Sequence, residues 1–153
     1  MKWITRERPK IDRVACPWLI ARFIDQSPQF FFVPPEQVIA QAAATGATPY
    51  DVPGVELSHD GPLCSFDAFL QKYRLDDPCL AELAVIVRGA DTARLDLAPQ
   101  CAGLLAISFG LSHNFRDDHE LLASGYVIYD ALYSWLKHVR NEKHDWNPQR
   151  RPS

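Results

Sequence analysis

After the acidic pair Asp117-Asp118, apolar residues recur at Leu121, Gly125, Ile128, Leu132, Trp135 and Val139, alternately four and three positions apart. That spacing keeps one side of a helix apolar over several turns, so the segment reads as a helix with a core-facing seam. Such a seam must be covered by other elements, which rules out an all-strand fold. Three shorter helical patterns precede it. Phe66, Phe69, Leu70 and Tyr73 lie at i, i+3, i+4 and i+7, with Ser65 placed to cap them. Leu80, Leu83, Ala84 and Val87 follow Asp77-Pro78 and run up to Gly89, where the chain is expected to turn. Leu104, Leu105 and Ile107 follow Pro99 as far as Gly110.

The N-terminal half has a different grain. "KWIT" with Arg6 alternates like a short strand, and "QFFFVPP" reads as a buried strand at Phe30 to Val33 closed by two prolines. Between them Ile11, Val14, Trp18, Ile20 and Phe23 follow a helical period that Pro17 must kink or restart. Pro35 suits the first turn of a helix reaching Ala44 and stopped by Gly46, and "TPYDVPG" reads as another extended piece. The expected fold is α+β and helix-dominated: a small N-terminal sheet with its helices packed on a helical C-terminal half. One domain is expected over 1–139, with a flexible polar tail over 140–153.

The totals narrow the partners. A net charge of −3 gives no basic surface for direct nucleic-acid binding, and no apolar run approaches the ~20 residues a bilayer crossing needs. "MKWITRERPKIDR" carries charge where an export signal needs an apolar core, so the expected location is cytoplasmic. Cys16, Cys64, Cys79 and Cys101 form no C-x-x-C pair and read as free thiols. Assembly into a homo-oligomer is left open by these features.

Chemistry-bearing residues gather in a few places. "VELSHDGPLCSFDAFL" puts His59, Cys64 and Asp67 within nine positions. Asp67, one residue after Phe66, points off the apolar face toward solvent or a cleft, where the helix dipole favours its charge. Cys64, at the same helix start, is the thiol whose pKa would be lowered, and His59 could serve as its base or share a metal with Asp67. "VIVRGADTARLD" adds Arg88 and Asp91, which spacing alone explains as surface pairing. In "RDDHELL" Asp117 or Asp118 caps a helix, while His119 stays neutral there and is free to bind a metal or move a proton. Asp130 lies on the same face, with Tyr126 and Tyr133, lining a pocket or meeting the N-terminal half. Asp12 and Arg13 sit inside an apolar segment and need partners, either each other or Asp91 or Asp67.

Taken together, "KWITRERPKIDRVACPWLIARFID", "FFFVPPEQV", "DVPGVELSHDGPLCSFDAFL", "IVRGADTARLDLAPQCAGLLAISFGLS" and "DDHELL...YDALY" resemble the C-terminal domain family of the chromate-resistance protein ChrB, over about residues 2 to 137. The likeness is to that domain standing alone. It implies a part in chromate sensing or detoxification. In the family, segments of the form HxGxxCxFE and IVHDxD look like paired metal-ligand motifs, and their positions here are His59, Cys64, Asp67, Arg88 and Asp91. Arg88 stands where a histidine would, and His119 is the residue that could replace it. The resemblance therefore implies a divalent metal (Zn, Mn or Fe) on His59, Asp67, Asp91 and His119, serving sensing, hydrolysis or redox chemistry, with a Cys64 thiol as another redox route. It equally allows a small oxyanion held by Arg13, Arg88 and the helix start at Ser65.

Overall fold

A computed structural model describes residues 1–145. Strand β1 (Lys2–Arg6) is the centre of a three-stranded parallel sheet, with β2 (Gln29–Val33) on one side and β3 (Thr48–Pro49) on the other. Parallel neighbours need crossovers, and the intervening helices supply them: α1 (Asp12–Leu19) links β1 to β2, and α2 (Val38–Thr45) links β2 to β3. Trp3, Ile4 and Thr5 are buried because β1 is covered on both sides. β2 departs from the buried strand expected. It is an edge strand with one neighbour, its residues are half-buried or exposed, and Phe31 faces water.

Pro17 neither ends α1 nor starts it. The helix begins at Asp12, passes through Pro17, and loosens into a π turn at Ile20–Ile24, the adjustment a missing N–H invites. Helix α2 stops where Gly46 turns left-handed at φ +69°, as its sequence implied.

The C-terminal half is helical: α3 (Ser65–Tyr73), α4 (Pro78–Asp91), α5 (Cys101–Asn114) and α6 (Asp118–Ser134), the last continuing as a π turn over Trp135–Val139. Asp117 caps α6, accepting from the N–H groups of His119 and Glu120 at 2.9 Å. The seam of α6 is buried at Leu121 and Gly125, but Leu136 replaces Val139 at its end because the π turn swings Val139 outward. Gly125 lets α1 approach closely: a Cβ there would lie 2.4 Å from Val14 Cγ1. Trp3, Trp18, Phe66, Phe69, Leu83, Val87, Leu121 and Tyr129 join sheet and helices in one core. The protein is thus α+β and helix-dominated. Among the described residues no helix is long and apolar enough to cross a membrane. Of the polar tail expected over 140–153, residues 146–153 lie outside the described part.

Gly89 was expected to turn the chain, yet it lies inside α4, which runs on to Asp91. Its absent side chain makes room for α5: a Cβ would meet Cys101 Sγ at 2.3 Å and the Arg94 carbonyl oxygen at 2.8 Å. Backbone cannot give way cheaply. Gly89→Ala is therefore expected to destabilise by about 1–3 kcal/mol despite alanine's better helix propensity. A melting temperature equal to or above that of the parent would refute this packing.

Candidate functional site

Four elements deliver four side chains to one point. Asp12 is the first residue of α1, Asp51 follows β3, His59 rides the loop between β3 and α3, and Asp91 is the last residue of α4. The loop is held in shape by the Asp51 N–H donating to the Leu57 carbonyl at 2.8 Å and by a tight turn joining Asp60 to Leu63. Two backbone outliers sit at this point: Ile11, just before Asp12, has φ +45°, and Asp51 itself has φ +51°. An isoleucine at positive φ is disfavoured by roughly 1–3 kcal/mol, and such strain gathers where surrounding structure dictates a side chain's position. Here the Tyr129 hydroxyl donates to the Ile11 carbonyl oxygen at 2.9 Å and pins it.

His59 Nε2 lies 3.1 Å from Asp91 Oδ2, 3.2 Å from Asp51 Oδ1 and 3.6 Å from Asp12 Oδ2. The imidazole is 40% exposed, whereas the Asp12 side chain is 1% exposed. Asp12 is therefore the floor of the site and His59 its open side. Asp12 also accepts from the backbone N–H groups of Ser65 at 2.7 Å and Phe66 at 3.0 Å, so a carboxylate from α1 caps α3. Asp51 is held by Arg6 Nη2 at 2.8 Å, Arg13 Nε at 3.3 Å and the Ser65 hydroxyl, which donates at 2.9 Å.

The protons are distributed accordingly. Burial, then the charges of Asp91 and Asp51, raise the Asp12 carboxyl to about 8. Burial likewise raises Asp91, whose charge is also disfavoured at a helix C-terminus. Burial would raise Asp51 too, yet hydrogen bonds from His59 and Ser65 and the Arg6 guanidinium keep it below its ordinary value. The hydrogen bond to Asp51 and the charges of Asp12, Asp51 and Asp91 raise His59 to about 9 against the desolvation that opposes them.

These shifts fix a sign. A histidine that titrates at 6.5 unfolded and about 9 folded contributes stability that is complete below 6.5 and lost as pH rises through 9. Asp12, at 3.8 unfolded and about 8 folded, acts in the same direction, because the folded chain holds the extra proton until pH passes 8. Asp51, shifted downward, adds its dependence only below about 3.8. The metal-free protein should consequently melt several degrees lower at pH 9 than at pH 6.5, measured with chelator present. A flat profile, or one rising toward pH 9, would contradict this.

The other expected site residues are elsewhere. Asp67 was expected to face solvent or a cleft, but it is buried and folds back in a capping box, accepting from the Cys64 N–H at 3.0 Å. It also pairs with Arg88, Nε to Oδ2 at 3.6 Å. Ser65, expected as the cap, is the first helical residue, because Cys64 holds the N-cap position. Cys64, expected as an activated thiol, is fully buried, and desolvation with the nearby Asp12 and Asp67 charges pushes it far above its ordinary value, overriding the helix dipole. Burial and these charges disfavour the thiolate that a nucleophile needs. His119 packs edge-on against Phe32 at 5.4 Å between ring centroids, in no candidate ligand group among the described residues. Asp130 accepts from Trp18 Nε1 at 2.7 Å and pairs with Arg22, latching α1 to α6. Arg88 lines a separate cleft with Thr92 and Arg94. Arg13 remains at the site, on Asp51 and on the carbonyl oxygens of Arg6 and Glu7.

Two participants were not read from the sequence as site members. Asp12 reads in the sequence as a charge inside an apolar segment in need of a partner. Asp51 gives the same signal, lying between Tyr50 and Val52, both buried, but the prolines nearby made it read as a turn.

As a place for a divalent cation the group fits. One donor atom each from Asp12, His59 and Asp91 lie within 4.8 Å of one another, with Asp51 beside them and one side open. An imidazole with hard carboxylate oxygens suits Zn, Mn or Fe.

The chain matches the family described as ChrB, C-terminal domain, over residues 3–136. It is 34% identical over 141 residues to Protein ChrB of Cupriavidus metallidurans (strain ATCC 43123 / DSM 2839 / NBRC 102507 / CH34), an alignment that covers 91% of this chain and 42% of the relative. The chain thus spans about two-fifths of that relative's length. No solved structure matches it.

Proposed function

The chain belongs to the ChrB C-terminal domain family, and from that premise we propose that it serves chromate resistance as a cytoplasmic domain whose working part is a divalent-cation site on Asp12, His59 and Asp91. The observation that carries this reading is the convergence of Asp12, Asp51 and Asp91 on His59 Nε2, from elements distant in sequence, at the floor of an open cleft. Buried carboxylates repel one another, and they are held together at a cost in stability that a bound cation would remove. In the cation-free protein the imidazolium of His59 stands in for that charge.

Each residue has a task. Asp12 provides a buried oxygen, Asp91 a half-buried one, and His59 a nitrogen from the loop between β3 and α3. Asp51 orients His59 and is itself fixed by Arg6, Arg13 and Ser65. A bound cation would supply Lewis acidity on the open side. Because Asp12 also caps α3 and Asp91 ends α4, occupancy would tie α1, α3 and α4 together, which gives a sensing domain its link between ligand and fold. In cells that depend on this chain for chromate tolerance, His59→Ala expressed at parental levels is expected to lower tolerance clearly. Unaltered tolerance in both His59→Ala and Asp91→Asn would remove the site from the function.

A further inference from the structure

Helix α5 wears its polarity reversed. Ser108 and Ser112 are buried, while Ile107 is 46% and Phe109 53% exposed. No Asp, Glu, Lys or Arg occurs from Leu97 to Phe115, in a chain that is 23% charged. A helix that meets only water on its outer side carries charge there, and this one does not. Between Phe109 and Ile107 its outer face consists of Ala102, Gly103, Ala106 and Gly110, all exposed. The apolar face continues onto α6, where Val127 is 65% exposed and follows Tyr126 into Ile128, which shares a small cavity with Ile107.

The two glycines need a reason, because glycine forms helix less readily than alanine. At Gly89 and Gly125 the reason is clearance within the chain. At Gly103 and Gly110 an added Cβ would meet nothing within 4 Å, and neither residue has positive φ. Their bareness serves an approach from outside, as when a second helix lies close along α5. We propose that this face pairs with the same face of a second copy, the two α5 helices running antiparallel across a two-fold axis near Ala106. Antiparallel helices oppose their dipoles favourably. They also bring exposed Arg116, just past the end of one α5, toward exposed Asp96, just ahead of the other, and the symmetry makes that contact twice. With α5 about 21 Å long and the two helices of each copy about 20 Å across, the footprint suits a reversible dimer with an apolar centre and a charged rim. The cation-site residues lie on other elements, so this pairing stands apart from that reading.

Sedimentation velocity on the full chain, from about 2 to about 500 µM, tests this, and a monomer–dimer equilibrium with a Kd of about 10–100 µM is expected. Ala106→Glu puts a charge at the centre of the face on an exposed position. It should leave a monomer at every concentration, with parental helix content and with the melting temperature of the dilute parent. Gly110→Ala should raise the melting temperature of the dilute monomer yet weaken the dimer at least about tenfold, a split that a glycine needed only for the fold would not give. Arg116→Glu should weaken pairing, and Asp96→Arg added to it should restore it. A chain that stays monomeric throughout, or a dimer that survives both Ala106→Glu and Gly110→Ala, would overturn the proposal. Failure of the charge reversal to restore pairing would overturn its antiparallel arrangement.

Discussion

Asp12→Asn is expected to be the most damaging single polar substitution in the chain, lowering stability by about 2–4 kcal/mol and the melting temperature by roughly 5–15 °C. Size is unchanged, so packing is not the reason. Both carboxylate oxygens of Asp12 accept a backbone N–H, from Ser65 and from Phe66, in a place with no water to substitute. An amide has one acceptor oxygen, so its NH2 group must face one of those N–H donors. The first turn of α3 then loses a cap in the core, and His59 loses one of its three carboxylate neighbours. Asp67→Ala is the useful comparison: it removes the Asp67 half of the capping box and should cost only about 1 kcal/mol plus its pairing with Arg88. Urea denaturation separates the two. A loss under 1 kcal/mol in Asp12→Asn would mean that α3 is not capped across the core.

The second large effect concerns ligand rather than fold. A divalent cation at a hundredfold excess over its Kd should stabilise the folded chain by about 2.7 kcal/mol, raising the melting temperature by roughly 5–10 °C. Asp91→Asn should abolish that rise. The same substitution should leave the metal-free melting temperature unchanged or higher, because burial and the α4 C-terminus both disfavour the Asp91 charge. A residue whose removal stabilises the empty protein and destroys the response to the ligand is held for function. His119→Ala should leave the cation response intact, since its ring packs on Phe32 and its helix start is capped by Asp117.

Much of the fold was legible in the sequence where local rules and tertiary demands agree. Helix α6 carries both a clear period and an acidic cap, and Gly46 closes α2 in the left-handed turn that only glycine takes easily. Legibility failed where a contact distant in sequence decides the outcome. Gly89 reads locally as a stop, but it is a clearance for Cys101. The run at Phe30 to Val33 reads as interior, but strand order puts it at an edge. The site was legible in the same measure. His59 remains once capping and core roles are assigned, Asp91 is tied to it only through the family resemblance, and the structure puts their side chains 3.1 Å apart. Asp67 was misread because a capping box returns its side chain to its own helix start, and Cys64 because burial outweighs the dipole. Asp12 follows buried Ile11 and Asp51 lies between buried Tyr50 and Val52, and only the crossing of α1, α3 and α4 shows why these carboxylates matter.

The central claim is that Asp12, His59 and Asp91 form a divalent-cation site. Its most direct test is calorimetric titration of Mn2+ or Zn2+ into metal-stripped chain carrying no histidine tag, at pH 7.5 in buffers of different ionisation enthalpy. The account gives one cation per chain and net proton release on binding, because the protons on His59 and Asp12 must leave, with affinity rising from pH 6.5 to 9. Absence of stoichiometric binding, or binding that is undiminished in His59→Ala and Asp91→Asn, would contradict it.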